Sequence, residues 1–427
     1  MTNIFQRRES EVRSYCRSFP VVFERAKDSF LYDAAGRAYL DFFCGAGTMN
    51  YGHNPDEMKK ALIEYLQNDG VIHSLDMMTA AKKTFLERFE SIILQPRGLD
   101  FKIQFVAPSG ANAIEAALKL SRAVKNRSNV IAFTNSYHGL SAGALSVTSN
   151  SFYRREAYIQ RSNAVFMPYD GYFGPDIDTI EYLRKYLEDE SSGLDRPAAV
   201  VIETTQAEGG VRSASDRWLQ QLQWLCREFD MLMIVDDVQV GNGRAGTFFS
   251  FERAGIQPDM VAMSKAIGGC GLPLSILLLK PELDQWKPGE HTGTFRGNNL
   301  AFVAASEALR YWETNDFSQT IAHKSQIMAD RLNQIKTKYP QLDIQIRGVG
   351  MIYGMEIPNP EISQAAASEA FNQGLIVELC GVKHNVIKFL PPLTIKENYL
   401  TLGLDIIDKS LQSVLSKISV AAIGDFL

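Results

Sequence analysis

Lys265 closes a short apolar run, Met260-Val261-Ala262-Met263-Ser264, and is followed by Ala266-Ile267-Gly268-Gly269. Such a run reads as a buried strand. A strongly hydrated cation at its end reaches water, pairs with a carboxylate, or is kept for chemistry. Where desolvation lowers its pKa, a lysine amine becomes a nucleophile toward carbonyl carbon. Glu203 ends a second apolar run, and Asp236-Asp237 end a third. Two adjacent carboxylates at a strand end are costly to bury without a cationic partner. Gln239, three residues beyond Asp236, is placed to bond a ring oxygen. Ser109-Gly110-Ala111-Asn112 precedes a strong helix-forming run from Ala113 to Leu120. A helix start offers free N–H groups to an anion, although an ordinary cap by Ser109 or Asn112 explains the same residues. Tyr137-His138-Gly139 places an aromatic where it would stack on a flat ring or simply pack.

The elements that must position these groups alternate. Strands are expected at residues 130–133, 199–203, 231–236, 260–264 and 275–279, with helices between them, one of them over 218–229. Near-continuous apolar strands alternating with helices specify a mostly parallel sheet covered on both faces. In such a sheet ligands bind at the carboxyl ends of the strands, which is where Glu203, Asp236 and Lys265 fall. Earlier in the chain, residues 31–42 read as a hairpin around Ala35-Gly36, and residues 56–68 as a helix with Met58, Leu62, Tyr65 and Leu66 on one face. From about residue 300 the pattern changes to long helices at 300–312 and 317–339, a strand pair at 343–347 and 351–357, and a final helix. The expected division is a large domain over 50–315 and a smaller α+β domain built from 1–49 and 316–427.

Composition narrows the class. The 427 residues carry a net charge of −5, with 45% hydrophobic and 22% charged residues. That composition supports a large core and points away from nucleic acid or an anionic membrane as the main partner. Five cysteines without CxxC spacing suit free thiols in a reducing compartment, and six scattered histidines show no metal-binding pattern. No run approaches the roughly 20 apolar residues of a membrane span, so a cytoplasmic location is expected.

An amine nucleophile, a carboxylate for a ring nitrogen and an anion cradle are the handles that pyridoxal phosphate requires. With that, the chain resembles the class III (ω-amino acid) aminotransferases of fold type I over nearly its whole length. The resemblance rests on Ser109-Gly110-Ala111-Asn112-Ala113-Ile114-Glu115, Tyr137-His138-Gly139, and Glu203-Thr204-Thr205-Gln206-Ala207-Glu208-Gly209-Gly210. It continues through Asp236-Asp237-Val238-Gln239-Val240-Gly241-Asn242-Gly243-Arg244, Ser264-Lys265 and Gly293-Thr294-Phe295-Arg296-Gly297-Asn298. Within that family Arg17-Ser18-Phe19-Pro20, Pro96-Arg97-Gly98-Leu99-Asp100 and Phe248-Phe249-Ser250-Phe251-Glu252 look most like the diaminobutyrate–2-oxoglutarate group of ectoine biosynthesis.

The resemblance implies a pyridoxal-phosphate-dependent fold type I transferase. Lys265 would form the Schiff base and shuttle the proton, and Asp236 would pair with the ring nitrogen. Gln239 would bond the ring hydroxyl and Tyr137 would stack on the ring. Ser109, Gly110 and Ala111 would hold the phosphate, with His138 and Glu203 lining the cofactor site. Thr294 would reach that phosphate from a neighbouring subunit, so a homodimer or higher homo-oligomer is expected. Glu208 stands where the family has a gating glutamate. Arg296 and Lys388 are the candidates for gripping a substrate carboxylate. Three positions depart from the family pattern: Asp237 replaces a usual Glu, Ala207 a usual Gly, and Lys388 an arginine that would fork onto a carboxylate. Other readings stay open. They are a class III enzyme for ornithine, acetylornithine, 4-aminobutyrate or a natural-product amine, a semialdehyde mutase, and a non-catalytic cofactor-binding sensor. A nicotinamide fold lacks the GxGxxG it would need after the first strand.

Overall fold

The computed structural model describes residues 4–155 and 163–424, with side chains described through residue 417. Its centre is a seven-stranded sheet. The spatial order is Lys102–Phe105, Ile276–Leu279, Met260–Met263, Leu232–Asp236, Ala199–Ile202, Val130–Phe133 and Ala164–Met167. Ile276–Leu279 runs antiparallel to both neighbours, and the remaining neighbours pair in parallel. The five apolar runs read from the sequence supply the five central strands. The two edge strands were not expected. Lys102-Ile103-Gln104-Phe105 alternates and is only partly buried, so it lacks the continuous apolar character of a central strand, whereas Ala164-Val165-Phe166-Met167 is a continuous apolar run that the sequence reading passed over.

Strand alternation sorts side chains into two cores. Val130, Ala132, Val201, Ile234, Ala262 and Leu277 pack with Ala113, Ile114, Ala117 and Leu120 of the helix Gly110–Lys125. Ile131, Phe133, Val200, Val235, Val261 and Met263 face the other way, toward Trp218, Leu219, Leu222 and Leu225 of Asp216–Glu228. With both faces covered, only the strand ends remain open to a ligand.

Two smaller sheets complete the chain. Phe23–Lys27, Phe30–Asp33 and Ala38–Asp41 form an antiparallel ribbon, and Leu375–Ile376 joins it in parallel beside Ala38–Asp41. Gln345–Val349, Ile352–Glu356, Val386–Phe389 and Glu378–Cys380 form an antiparallel sheet. Helices Asp316–Lys338, Pro360–Asn372 and Glu397–Gly424 accompany it. The expected helix at 300–312 ends as regular α-helix at Leu309 and finishes as a 3-10 turn over Arg310–Trp312. The helix Asp56–Gln67 forms, but the face expected of it is corrected: Met58 alone is buried and Leu66 is exposed. That helix rests on Asn299–Leu309, with Leu62 and Tyr65 half-buried and Tyr65 packed against the main core. Among the described residues no helix is long and apolar enough to cross a membrane.

Candidate active site

The carboxyl ends of the central strands meet around Lys265. The residue follows Met260–Met263 and holds φ at +52°, a left-handed backbone that an L side chain adopts only under constraint. Its Nζ donates to the Ala46 carbonyl at 2.9 Å. Ala46 lies in the turn Cys44–Gly47, where Cys44, Gly45 and Ala46 all have positive φ. Burial pulls the Lys265 amine below the ordinary lysine range, while the nearby Glu208 carboxylate opposes the shift. A depressed pKa supplies a larger share of free amine at neutral pH.

Asp236, the last residue of its strand, is buried and tied at both oxygens. Oδ1 accepts the Val238 N–H at 3.0 Å, and Oδ2 lies 2.7 Å from Nδ1 of His138. The His138 N–H donates to Thr148 Oγ1 at 2.9 Å, and its Nε2 is buried without a hydrogen-bond partner. Glu203, at the next strand end, accepts the Tyr137 N–H at 3.1 Å. Burial, with Asp236 adding like charge, raises the Glu203 carboxyl well above its usual range. The Tyr137 ring meets Tyr153 edge-on at 5.6 Å, and burial pushes its hydroxyl up to about 12.

A second group of charges lies on the other side of Lys265. Lys388, on Val386–Phe389, has a fully enclosed side chain. Its Nζ stands 2.5 Å from Glu208 Oε1, 3.0 Å from Glu378 Oε2 and 3.3 Å from Gln239 Oε1. Burial works against the ammonium, yet the two carboxylates outweigh it and hold Lys388 well above its ordinary pKa. For Glu208 burial works upward, and Lys388 reverses it to leave the carboxyl below its usual range. Glu378 is left raised by burial. Gln239 bridges the two halves, because its Nε2 donates to Ala46 O at 2.9 Å and to Glu208 Oε1 at 3.3 Å. The backbone under Glu208 is pinned: Gly381 N–H donates to its carbonyl at 3.0 Å, and Arg347 donates to Gly210 O at 2.9 Å. Movement at Glu208 is therefore confined to its side chain.

Residues 13–411 match the family model described as aminotransferase class-III. The chain belongs to that family. It is 57% identical over 412 residues to a diaminobutyrate–2-oxoglutarate transaminase of Wolinella succinogenes, covering 96% of each chain. It is 53% identical over 421 residues to one of Bordetella parapertussis, covering 98% of this chain and 97% of the relative. Its fold is shared with an S-selective transaminase from Bacillus megaterium (TM-score 0.86, 22% identity, 96% of this chain and 97% of that one). The ornithine aminotransferase from Toxoplasma gondii is similar, with TM-score 0.83, 23% identity and coverage of 97% and 94%.

As a class-III aminotransferase the chain works with pyridoxal 5′-phosphate, and the residues present fit that group. Asp236 is a tethered carboxylate for a ring nitrogen. Ser109 caps the helix Gly110–Lys125 and leaves its first turn open for a phosphate. A Cβ on Gly110 would come 2.7 Å from a Val238 methyl, and one on Gly139 would come 2.6 Å from the Ala111 Cβ. Both glycines thus let backbone and side chain close around the helix start. Lys265 and Gln239 reach the same place from opposite sides, joined through Ala46 O.

Two expected residues stand elsewhere in this chain. Thr294 is exposed, with its carbonyl beside His73 Nε2 at 2.8 Å. Arg296 pairs with Asp76 and donates to His291 O. Within its own chain Arg296 is paired with Asp76 and stands outside the Lys265 group. Three residues were missed. Glu378 sits in the apolar run Leu375-Ile376-Val377-Glu378-Leu379-Cys380, and a lone charge in such a run is a signal that sequence reading could have used. Tyr15 donates its hydroxyl to Glu378 Oε1 at 3.0 Å. Tyr153 stands close enough for Glu208 and Glu378 to raise its pKa further after burial has done so.

Proposed function

We propose that this aminotransferase moves an amino group between L-glutamate and the aldehyde carbon of L-aspartate 4-semialdehyde, forming 2-oxoglutarate and L-2,4-diaminobutyrate. The observation that carries the substrate is identity above one half, over nearly the whole chain, to relatives named for that exchange. The geometry supports the reaction class. Bound pyridoxal phosphate supplies an aldehyde that holds the substrate nitrogen and a ring that accepts the electrons released at carbon.

The chain's own residues do the rest. Lys265 Nζ, enclosed and depressed in pKa, takes the proton from the carbon that bears the amine and later returns one. Asp236, fixed by Val238 N–H and His138, presents a negative charge that needs no reorganisation. Glu203, whose carboxyl burial and the Asp236 charge hold well above the usual range, stands beside Asp236 at the next strand end. Lys388 grips a substrate carboxylate when the Glu208 side chain swings aside, and is re-covered by Glu208 when the distal amine reacts. Ser109, Gly110, Ala111, Tyr137, His138, Gln239 and Lys265 form the cofactor site.

The protein acts as a homodimer whose partner supplies Thr294 to the phosphate. Support comes from exposed apolar residues Val71, Ile72, Met77 and Met78 beside the equally exposed Phe295. The division into a large domain over 50–315 and a small one over 1–49 and 316–427 is supported by the pairing of Ala38–Asp41 with Leu375–Ile376. A cytoplasmic location is supported by five free cysteines.

The test is the visible absorbance of the cofactor-loaded protein. L-2,4-diaminobutyrate should bleach it and 2-oxoglutarate should restore it, and Lys265→Ala should not cycle. Bleaching by ornithine or 4-aminobutyrate but not by diaminobutyrate would replace the substrate and keep the family.

A further inference from the structure

Lys388 has more counter-charge than it needs. Glu208 Oε1 lies 2.5 Å from its Nζ and Glu378 Oε2 lies 3.0 Å away. Two carboxylates therefore face one ammonium, one more than charge pairing requires. Neutralising a buried lysine takes a single partner, and Glu208 already provides it. The second carboxylate is nevertheless built in. Glu378 stands directly across from Lys388 in the sheet register, so the backbone fixes it there. Tyr15, 363 positions earlier in the chain, donates to its Oε1 at 3.0 Å. Its Oε2 is buried and makes the ion contact with Lys388 without a hydrogen bond. The field of Glu378 also reaches Lys265, Tyr137 and Tyr153, so the extra charge is felt along the cleft.

We propose that Glu378, clamped by Tyr15, sets the net charge of the substrate cleft and thereby makes the enzyme favour a donor with a second ammonium over glutamate. The inference rests on the diaminobutyrate reading above. L-2,4-diaminobutyrate carries two ammonium groups and one carboxylate, a net positive charge. Glutamate carries a net negative one. A fixed negative group in a cleft of low dielectric attracts the first and repels the second, whether or not it touches either. Glu208 cannot play this part alone, since Lys388 cancels it whenever they are paired.

The experiment uses the cofactor-loaded protein and follows bleaching of its visible band by L-2,4-diaminobutyrate and, separately, by L-glutamate. The readout is the ratio of the two second-order rate constants. Glu378→Gln should lower that ratio at least tenfold, and Glu378→Asp should recover most of it. Tyr15→Phe keeps the charge but releases its clamp, so it should lower the ratio by a smaller factor. That variant also decides the matter if Glu378→Gln fails to fold. Calorimetric dissociation constants of the two donors on the loaded Lys265→Ala protein, which does not turn over, should shift in the same sense. Equal losses for both donors would mark Glu378 as merely structural and overturn the proposal, as would an unchanged or increased ratio. If the wild type takes ornithine in place of diaminobutyrate, the substrate assignment falls while the ornithine-to-glutamate ratio still decides the role of Glu378. A wild type that takes no diamino acid overturns both.

Discussion

Asp237 shows how burial alone turns a side chain into a pH-dependent load on the fold. Its Oδ2 accepts the Ser250 N–H at 3.0 Å, its Oδ1 has no partner, and burial pushes its carboxyl up to about 7. The unfolded chain loses that proton near pH 4. Between those values the folded protein holds a proton that the unfolded chain has given up, so stability falls as pH rises from about 4 to about 7 and levels off above. Glu203, raised for the same reason, adds to the fall. Asp237→Asn keeps the shape and removes one titration. The wild-type melting temperature should therefore drop between about pH 4 and about pH 7, and the drop should shrink by a few degrees in the variant. Identical slopes for the two proteins would dismiss the argument. At this scale much was legible: Lys265, Asp236 and Glu203 each betrayed themselves as charges at the end of an apolar run. Tyr15 could not be found in that way, because its partner lies across the whole length of the chain and only the folded sheet brings them together.

Ser109 and the helix behind it carry the argument at the scale of elements. The Ser109 side chain accepts from Asn112 N–H at 3.3 Å and from Asn112 Nδ2 at 2.7 Å, so the capping reading of the sequence holds. Ser109→Ala should cost about 1 kcal/mol of stability. If the same turn holds the phosphate, the variant should also lose cofactor severalfold faster on dialysis, followed by absorbance. A change in stability with no change in cofactor retention would leave Ser109 a cap and nothing more. Helix and strand periodicity gave the central sheet because its strands are buried on both faces. It failed at Lys102–Phe105, where an edge strand alternates polar and apolar residues, and at Leu66, where an apolar residue on a helix faces outward. It could not reveal that Glu378 faces Lys388, since that register is set by the turn between two strands.

For the whole molecule, the proposed dimer makes a prediction that separates it from a self-sufficient monomer. Lys265→Ala abolishes the reacting amine, and Thr294→Ala should weaken cofactor binding. In a mixed dimer, one site keeps its own Lys265 and receives an intact Thr294 from the Lys265→Ala chain. Unfolding and refolding the two variants together, at limiting pyridoxal phosphate, should therefore yield more activity than the sum of the two alone. If Thr294 served its own chain, no site in the mixture would gain. The pairing of Ala38–Asp41 with Leu375–Ile376 also orders events in time. At roughly 5–20 residues per second, a ribosome finishes the N-terminal ribbon tens of seconds before the strand that completes it exists. Until then the ribbon's edge is an unsatisfied pairing surface, and Tyr15 has no Glu378 to meet. This chain cannot assemble its reactive cleft while it is being made. A product that stops between Lys265 and Leu375 would carry Lys265 and yet lack the wall of the cleft that Glu378 and Lys388 form.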